Sequence, residues 1–412
     1  MQTLRNKSVF FETYGCTFNF ADTEKLKEIA AADGCFIAES PEDADAVVIN
    51  TCTVVSQTER AMIRAINDYA DKEVYVTGCM PVVQREKLLA LRPDIHLIMP
   101  DEIYENSERV GAVAFGSTGI VQVGTGCLGA CAYCITRFAR GRLRSFGKER
   151  IIAEIERQVA DGVTEIQLTG QDVSAWGADI GSNLGELLTA VNEVDGNFAV
   201  RVGMMNPATV MPHVAEIAEA FTLEKIYAFI HLPVQSGSDR VLETMNRGYT
   251  RRQFIDVVGE FRRRIPDARI STDFIVGYPT ETEEDFNETL SLIEEVKPTK
   301  VNITRFSLRE GTPAAKYYDM PDWIKKNRSR KLTDAANAIY DANNAAMIGR
   351  IVHAAVTEKK TEGRMGGTVV ARDRFYNNIV VKEDLPLGKK LDLRIVDHHR
   401  HYLIAETLRE SK

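Results

Sequence analysis

Residues 121–145 read VQVGTGCLGACAYCITRFARGRLRS. A short apolar run, VQVGTG (121–126), reads as a strand entering a loop that carries Cys127, Cys131 and Cys134 at C-x3-C-x2-C spacing. Structural zinc asks for four ligands in a closed tetrahedron. Here three thiols fall within eight residues, with no fourth Cys or His nearby. A [4Fe-4S] cube takes four thiolates as a rule. Held by three, it keeps one iron free for a small molecule. Gly124, Gly126 and Gly129 let the loop wrap closely around a bulky group. The other readings are a zinc knuckle completed by a distant residue, or three buried structural thiols.

Downstream of this loop, helix and strand patterns alternate. KERIIAEIERQVADG, NLGELLTAVNEV, VMPHVAEIAEAF, RRQFIDVVGEFRRRI and EEDFNETLSLIEEV have helical periodicity. VTEIQLTG, NFAVRVGMM, IYAFIHLPV, ARISTDFIVG and KVNITRFS read as the strands between and after them. With the first, that makes six βα-type steps, and such alternation implies a parallel sheet. Six units suit a partial (βα)6 barrel with its ligands at the C-terminal strand ends. Polar segments lie at those ends: TGQD (169–172), PVQSGSD (233–239) and VGYPTET (276–282).

Upstream, residues 1 to about 115 repeat a different βα rhythm, expected to form a doubly wound domain. SVFFETYG, DAVVINT and EVYVTG are strands, and Cys16, Cys52 and Cys79 follow their C-terminal ends. In an open doubly wound sheet such ends line one edge, where ligands bind. Three thiols there would hold a second cube with one open iron. The alternative is that they are inert, since free Cys is among the most buried residue types. Cys35 fits neither set and reads as a core thiol.

The chain has 412 residues, which suggests two to four domains. Apolar residues make up 44% and charged residues 27%, excluding a disordered chain, a collagen-like fibre or a small disulfide scaffold. An odd count of seven cysteines argues against a disulfide framework and for a reducing, cytoplasmic setting. The start, MQTLRNKSVFFETYGC, reads as a first strand and not a signal peptide. No stretch reaches the ~20 apolar residues of a membrane helix, so no membrane association is expected.

The formal net charge is −8, against a nucleic-acid coat over the whole surface. Met347 to Leu408 nevertheless carries 11 basic and 8 acidic residues, with four of the seven histidines. That asymmetry hints at an anionic partner. RIVHAAV, GTVVARD, NNIVVKE, LDLRIVD and YLIAET suggest a small antiparallel β-barrel, OB-like in kind. Arg372, Arg374, Phe375 and Tyr376 are its candidate RNA contacts; the other reading is a solvated face. Arg137, Arg140, Arg142 and Arg144, beside the cysteine loop, suggest an anionic substrate, unless they pair with the acidic body. Pro321 to about Met347 reads as a linking helix. The expected domains are 1–115, 116–345 (barrel with linking helix) and 346–412.

The C-x3-C-x2-C motif resembles the signature of the radical S-adenosylmethionine (SAM) superfamily. With YGC (14–16), NTC (50–52) and TGCM (77–80) in order before it, the chain resembles the methylthiotransferases over nearly its whole length. CITRFARGRLRS (134–145) and GQDVSAWGADIGSNL (170–184) look most like their archaeal and eukaryotic branch, which acts on N6-threonylcarbamoyladenosine at tRNA position 37. The resemblance implies an N-terminal methylthiotransferase domain, a radical SAM barrel and a C-terminal TRAM domain. It implies two [4Fe-4S] clusters and SAM as cofactors. It places Tyr133 near the SAM adenine, Gln171 and Asp172 at the SAM amino group, and Arg247 at its carboxylate.

The implied reaction inserts a methylthio group at adenine C2. That carbon holds an unactivated C–H bond, which a general base or nucleophile cannot readily substitute. The radical comes from SAM cleaved at one cluster, while sulfur is held at the other and methylated by a second SAM; cofactors carry this hard step. The implied partners are the anticodon stem-loop of tRNA, an external electron donor and a sulfur donor. Competing readings are an aspartate of a small-subunit ribosomal protein, N6-isopentenyladenosine 37 of tRNA, and a non-catalytic iron–sulfur RNA-binding protein.

Overall fold

The computed structural model describes residues 4–54, 56–107, 109–115, 117–360 and 366–408. Glu362 and Arg364, counted in the basic tail, lie outside them. The N-terminal domain is built on a five-stranded parallel sheet in the order Phe36–Ile37, Ser8–Thr13, Ala46–Thr51, Glu73–Gly78, His96–Leu97. Ala46–Thr51 is buried along its whole length, as befits a strand covered on both faces. The strand order reverses between Ser8–Thr13 and Ala46–Thr51. Such a topological switch point is where open α/β sheets bind ligands. Cys16 and Cys52 follow these two strands, and Cys79 follows the next.

The central domain carries six parallel strands: Thr118–Gln122, Glu165–Thr169, Ala199–Val202, Phe229–His231, Arg269–Val276 and Lys300–Arg305. Hydrogen bonding splits them into two sheets, joined by a parallel bridge between Val200 and Ile226. The first strand begins three residues before VQVGTG. Gly124–Thr125 instead pairs antiparallel with Arg144–Ser145, so a two-residue ladder closes the cysteine loop at its base. Gly111–Phe115, upstream of the expected boundary, pairs antiparallel with Thr118–Gln122 and extends the barrel sheet.

Local chemistry supports the βα units. Thr250 and Thr282 cap the helices Arg251–Arg264 and Glu283–Val296 with reciprocal capping boxes, satisfying donors that would otherwise be orphaned. One apolar core runs through all six units, and Leu332, Ala336 and Tyr340 of the helix Asp322–Ala345 belong to it. Burying a leucine contributes about 1.5–3 kcal/mol, so this linking helix is docked rather than tethered.

The C-terminal domain is a closed barrel ordered Ile351–Lys360, Thr368–Asp373, Ile379–Val381, Tyr402–Thr407, Lys390–His399. Its pairings are antiparallel except where Ile379–Val381 runs parallel to Tyr402–Thr407 and closes it. It docks at the N-terminal ends of the central strands: Ala228 N–H donates to the Arg374 carbonyl at 2.8 Å, and the Tyr376 hydroxyl to Glu165 at 3.0 Å. The cysteine loop lies at the opposite end. No described helix is long and apolar enough to cross a membrane.

Candidate active site

In the N-terminal domain, each cysteine sits where a strand gives way to a turn. Gly15 (φ +116°) precedes Cys16, and a Cβ there would stand 2.8 Å from the Cys52 Cβ. Gly78 (φ +85°) precedes Cys79, and a Cβ there would meet the Thr51 carbonyl at 2.3 Å. Both positions therefore require glycine, which explains YGC and TGC as physical motifs. Asn19 clamps the first two loops, donating to the Tyr14 and Thr51 carbonyls at 2.9 Å each. Cys52 and Cys79 are buried and Cys16 is exposed. Burial pushes the Cys52 thiol up to about 11, with Cys79 and Cys16 adding to the rise. The three thiols thus feel one another. Thr53, directly after Cys52, is buried with a hydroxyl that has no hydrogen-bond partner among the described residues.

In the barrel, the loop with Cys127, Cys131 and Cys134 is held from several sides. Ala132 N–H donates to the Met245 carbonyl at 2.8 Å, and Asn246 Nδ2 to the Ala130 carbonyl at 2.8 Å. All three cysteines line a cavity of about 310 Å³ with Tyr133, Gln171 and Asp172. That size suits a small-molecule ligand. Arg247 also lines it, donating to Cys131 Sγ at 3.1 Å, to the Pro233 carbonyl at 3.0 Å and to Tyr249 at 2.9 Å. Burial pushes the Cys127 thiol up to about 12, with Asp172 adding to it, and also raises Cys134.

Gln171 accepts from Gly126 N–H at 2.8 Å and so pins the cysteine loop. Asp172 is fully engaged inside the protein. It accepts from Ser174 at 2.7 Å, Thr209 at 2.8 Å and Asn206 N–H at 3.1 Å. Burial still raises its pKa. Its carboxylate orders the loop after Ala199–Val202, and Asn206 in turn accepts from Arg247 at 3.3 Å.

The donor chemistry fits clusters better than single ions. Among the described residues, no set of three His, Cys, Asp or Glu side chains is arranged to grip one metal ion. A zinc site needs every donor within about 2.0–2.3 Å of one point, whereas three cluster thiolates bind three different irons. Cys52 and Cys79 are buried and Cys127, Cys131 and Cys134 half-buried, and a metal cluster would favour their thiolate form.

The loop that follows Cys52 reaches the barrel cavity. Val54, two residues after Cys52, lines the cavity that holds Cys127, Cys131 and Cys134. Arg309, on the same cavity, donates to the Val54 carbonyl at 2.9 Å and to Glu59 at 2.6 Å. Thr17, next to Cys16, lies 3.4 Å from Thr169 at the end of a central strand.

The arginine readings need correction. Arg140 is no surface cation: its side chain is 1% exposed, paired with Asp22 at 2.7 Å, Tyr104 at 2.9 Å and Asn19 at 3.1 Å. It joins the two domains and stands beside Cys79, whose thiol it counters against the rise from burial. Arg372 and Arg374 are likewise docking residues. Arg372 stacks 4.2 Å from the Tyr376 ring centroid and pairs with Glu358 at 3.0 Å, while Arg374 donates to the Thr222 carbonyl at 2.6 Å. Phe375 packs on the barrel core and Tyr376 against Tyr227 and Phe229. An Arg- and aromatic-rich turn between strands has the composition of an RNA-binding edge; here Arg374, Phe375 and Tyr376 meet the central domain, while Arg372 and Tyr376 also line an open cleft. Arg144 is exposed and paired with Asp101. The side chains of Arg137 and Arg142 make no hydrogen bond or ion pair among the described residues.

Known families cover both cysteine-bearing domains. Residues 121–293 match the radical SAM superfamily, and residues 8–100 match the uncharacterized protein family UPF0004. A probable threonylcarbamoyladenosine tRNA methylthiotransferase of Archaeoglobus fulgidus is 41% identical, over 98% of this chain and 99% of its own. The chain belongs to the methylthiotransferase family. A threonylcarbamoyladenosine tRNA methylthiotransferase of Xenopus laevis is 34% identical, over 98% of this methylthiotransferase and 78% of its own length. Among solved structures, the radical SAM methyltransferase TsrM of Kitasatospora setae, with cobalamin and a [4Fe-4S] cluster bound, aligns with TM-score 0.56 at 13% identity. It covers 75% of this chain and 77% of that one. This likeness shows the fold. A [4Fe-4S] cluster and SAM are the cofactors of this radical SAM enzyme.

Several residues that shape the site carried no signal in the sequence. In the sequence Asp22 and Arg309 are ordinary charged residues with nothing to mark them. Their partners lie far away in the chain. Val54 offered only its closeness to Cys52.

Proposed function

We propose that this methylthiotransferase inserts a methylthio group at C2 of N6-threonylcarbamoyladenosine 37 in the anticodon stem-loop of tRNA. The observation that carries the proposal is the shared cavity, where Val54 from the Cys52 loop stands with Cys127, Cys131 and Cys134. A substrate carbon placed there meets the barrel cysteines and the loop that follows Cys52. Near full-length identity of 41% to a relative named for this activity supports the substrate class.

In this reading Cys127, Cys131 and Cys134 hold the SAM-binding [4Fe-4S] cluster, and Cys16, Cys52 and Cys79 hold a second one. When bound, the first cluster and SAM supply one-electron cleavage to a carbon radical able to take hydrogen from an unactivated C–H bond. The protein's residues position and seal. Arg247, buried and cationic, balances Cys131 and offers a counter-charge to a ligand carboxylate. Gln171 fixes the loop, Asp172 fixes Asn206, and Tyr133 closes the cavity wall beside Cys131 and Cys134. Arg137 and Arg142 are the remaining phosphate contacts of the arginine run. Residues 1–115, 116–345 and 346–412 act as sulfur-handling, radical and RNA-docking units. An external electron donor, a sulfur donor and a cytoplasmic location complete the scheme.

The test is nucleoside analysis of tRNA from a strain lacking the gene. The expected result is loss of the 2-methylthio nucleoside with accumulation of N6-threonylcarbamoyladenosine. An unchanged 2-methylthio level refutes the assignment.

A further inference from the structure

A second cleft, of about 580 Å³, opens at the end of the barrel away from the cysteines. Three elements build it: the starts of central strands, the linking helix and the C-terminal barrel. Arg201, Arg269, Lys300, Arg372, Arg400 and His401 line it, and no Asp or Glu does among the described residues. Two of these cations are balanced from outside the cleft, Arg372 by Glu358 at 3.0 Å and Arg400 by Asp341 at 3.3 Å.

Arg201, Arg269 and Lys300 are not: among the described residues, their side chains make no hydrogen bond or ion pair. Arg201 is held by ring faces, 5.5 Å from Phe229 and 5.6 Å from Tyr376, and its Nε is buried without a partner. Rings orient a guanidinium while leaving its charge uncompensated. Asp273 and Asp373 are the carboxylates that partly offset Lys300 and Arg269, respectively. Asp373 is already engaged, accepting from Asn377 Nδ2 at 2.6 Å and from Phe375 N–H at 3.0 Å. Asp273 accepts from Asn302 at 2.7 Å and lies 3.0 Å from His231. Burial, then Arg201 and Arg372, lower the Lys300 pKa, and burial lowers that of Arg269. Assembling three such cations destabilises the empty cleft, and a polyanion removes that cost.

We propose that this cleft binds closely spaced phosphate groups, supplied by an RNA backbone or by a free oligophosphate. The cations sit at strand starts and on the C-terminal barrel, so ligand and domain docking are coupled. The site is separate from the cysteine cavity, and its oligophosphate arm does not depend on the tRNA reading above.

The experiment uses anaerobic, cluster-loaded enzyme as wild type, Lys300→Gln, Arg269→Gln and Lys300→Arg. The probes are inorganic tripolyphosphate, an anticodon stem-loop RNA and a full-length tRNA transcript. Tripolyphosphate is expected to raise the Tm of wild type and Lys300→Arg. Lys300→Gln should have a higher Tm than wild type without ligand, since repulsion is relieved, and should lose most of the ligand-induced shift. Unchanged iron content shows that the variants are folded. If RNA is the source, full-length tRNA binds Lys300→Gln and Arg269→Gln several-fold more weakly, with a salt slope reduced by about 1 per cation. If a free oligophosphate is the source, RNA affinity stays at the wild-type value while the tripolyphosphate response is lost. Binding of all three probes unaltered in both Gln variants overturns the proposal.

Discussion

Replacing Arg140 by methionine removes one member of an ion pair whose two side chains are each 1% exposed. Stranding one charge of such a pair typically costs about 3–5 kcal/mol. Asp22 would retain Gln122 Nε2 at 2.8 Å and the Tyr104 hydroxyl at 3.1 Å, so the lower end, about 3 kcal/mol, is expected. Because Asp22 belongs to the first domain and Arg140 to the barrel, the loss falls on their docking. About 3 kcal/mol corresponds to roughly two orders of magnitude in the docked-to-open ratio. A chain of several domains does not guarantee two-state melting, so hydrogen exchange resolved by domain is the better assay. Amides of the helix Thr17–Ala32 should exchange about 100-fold faster in Arg140→Met, while those of Arg251–Arg264 keep their rates. The double variant Arg140→Met/Asp22→Leu removes both members of the pair, leaving Lys25 as the nearby buried charge, and should recover part of the protection. Exchange in Arg140→Met within about threefold of wild type, or a double variant no better protected than the single one, would refute the reasoning.

Three other outcomes follow from the same chemistry. Cys131→Ala should abolish SAM cleavage and lower anaerobic iron content from about eight to about four per chain; cleavage at the normal rate would contradict the ligand assignment. Asp285 latches the loops after two central strands, accepting from Ser238 at 2.6 Å and Thr282 N–H at 2.7 Å and pairing with Arg240. Burial alone would raise its pKa, but the bonds from Arg240, Ser238 and Thr282 outweigh it and hold it below 3.8. Its stabilisation is therefore complete above the unfolded value and lost as pH falls through the folded one. Asp285→Asn should cost about 1.5–3 kcal/mol at neutral pH and flatten that acid limb in urea titrations. Burial pushes the Lys25 ammonium down from 10.5 to about 8. Between those values the unfolded chain binds more protons, so wild-type stability should rise with pH by about 3 kcal/mol relative to Lys25→Met. Parallel pH profiles of the two proteins would count against it.

How much could be read beforehand depended on whether the cause was local. The cysteines follow strands, the glycines before Cys16 and Cys79 are fixed by close approach, and the five strands of the terminal barrel alternate at period two; each is written in adjacent residues. The parallel closure of that barrel depends on pairing between segments more than 20 residues apart and left no local mark. Arg140 shows the same limit more sharply. It sits in a run of four arginines that looks like a phosphate track, yet its partner Asp22 is 118 positions away. Arg372 and Arg374 mislead for a related reason: guanidinium groups and aromatic rings suit RNA and protein docking alike, and only the neighbouring surface distinguishes them.

Two buried guanidiniums bracket the cysteine cavity. Arg140 follows the barrel's cysteine loop and reaches Asp22; Arg309 follows the last central strand and reaches Glu59 and the Val54 carbonyl. They anchor the first domain at two separate places around the cavity. A rocking motion that separates the domains must break at least one buried ion pair, a cost of several kcal/mol. Domain rocking is therefore a poor route for substrate entry. The alternative is the side beyond Val54, where the cavity wall formed by Thr304, Arg305, Phe306 and Ser307 continues into an open groove. Arg305 is half exposed there and only loosely paired with Asp322 at 3.4 Å. The docking of the two domains is thus set by buried ion pairs, and access is left to the open groove beside Arg305.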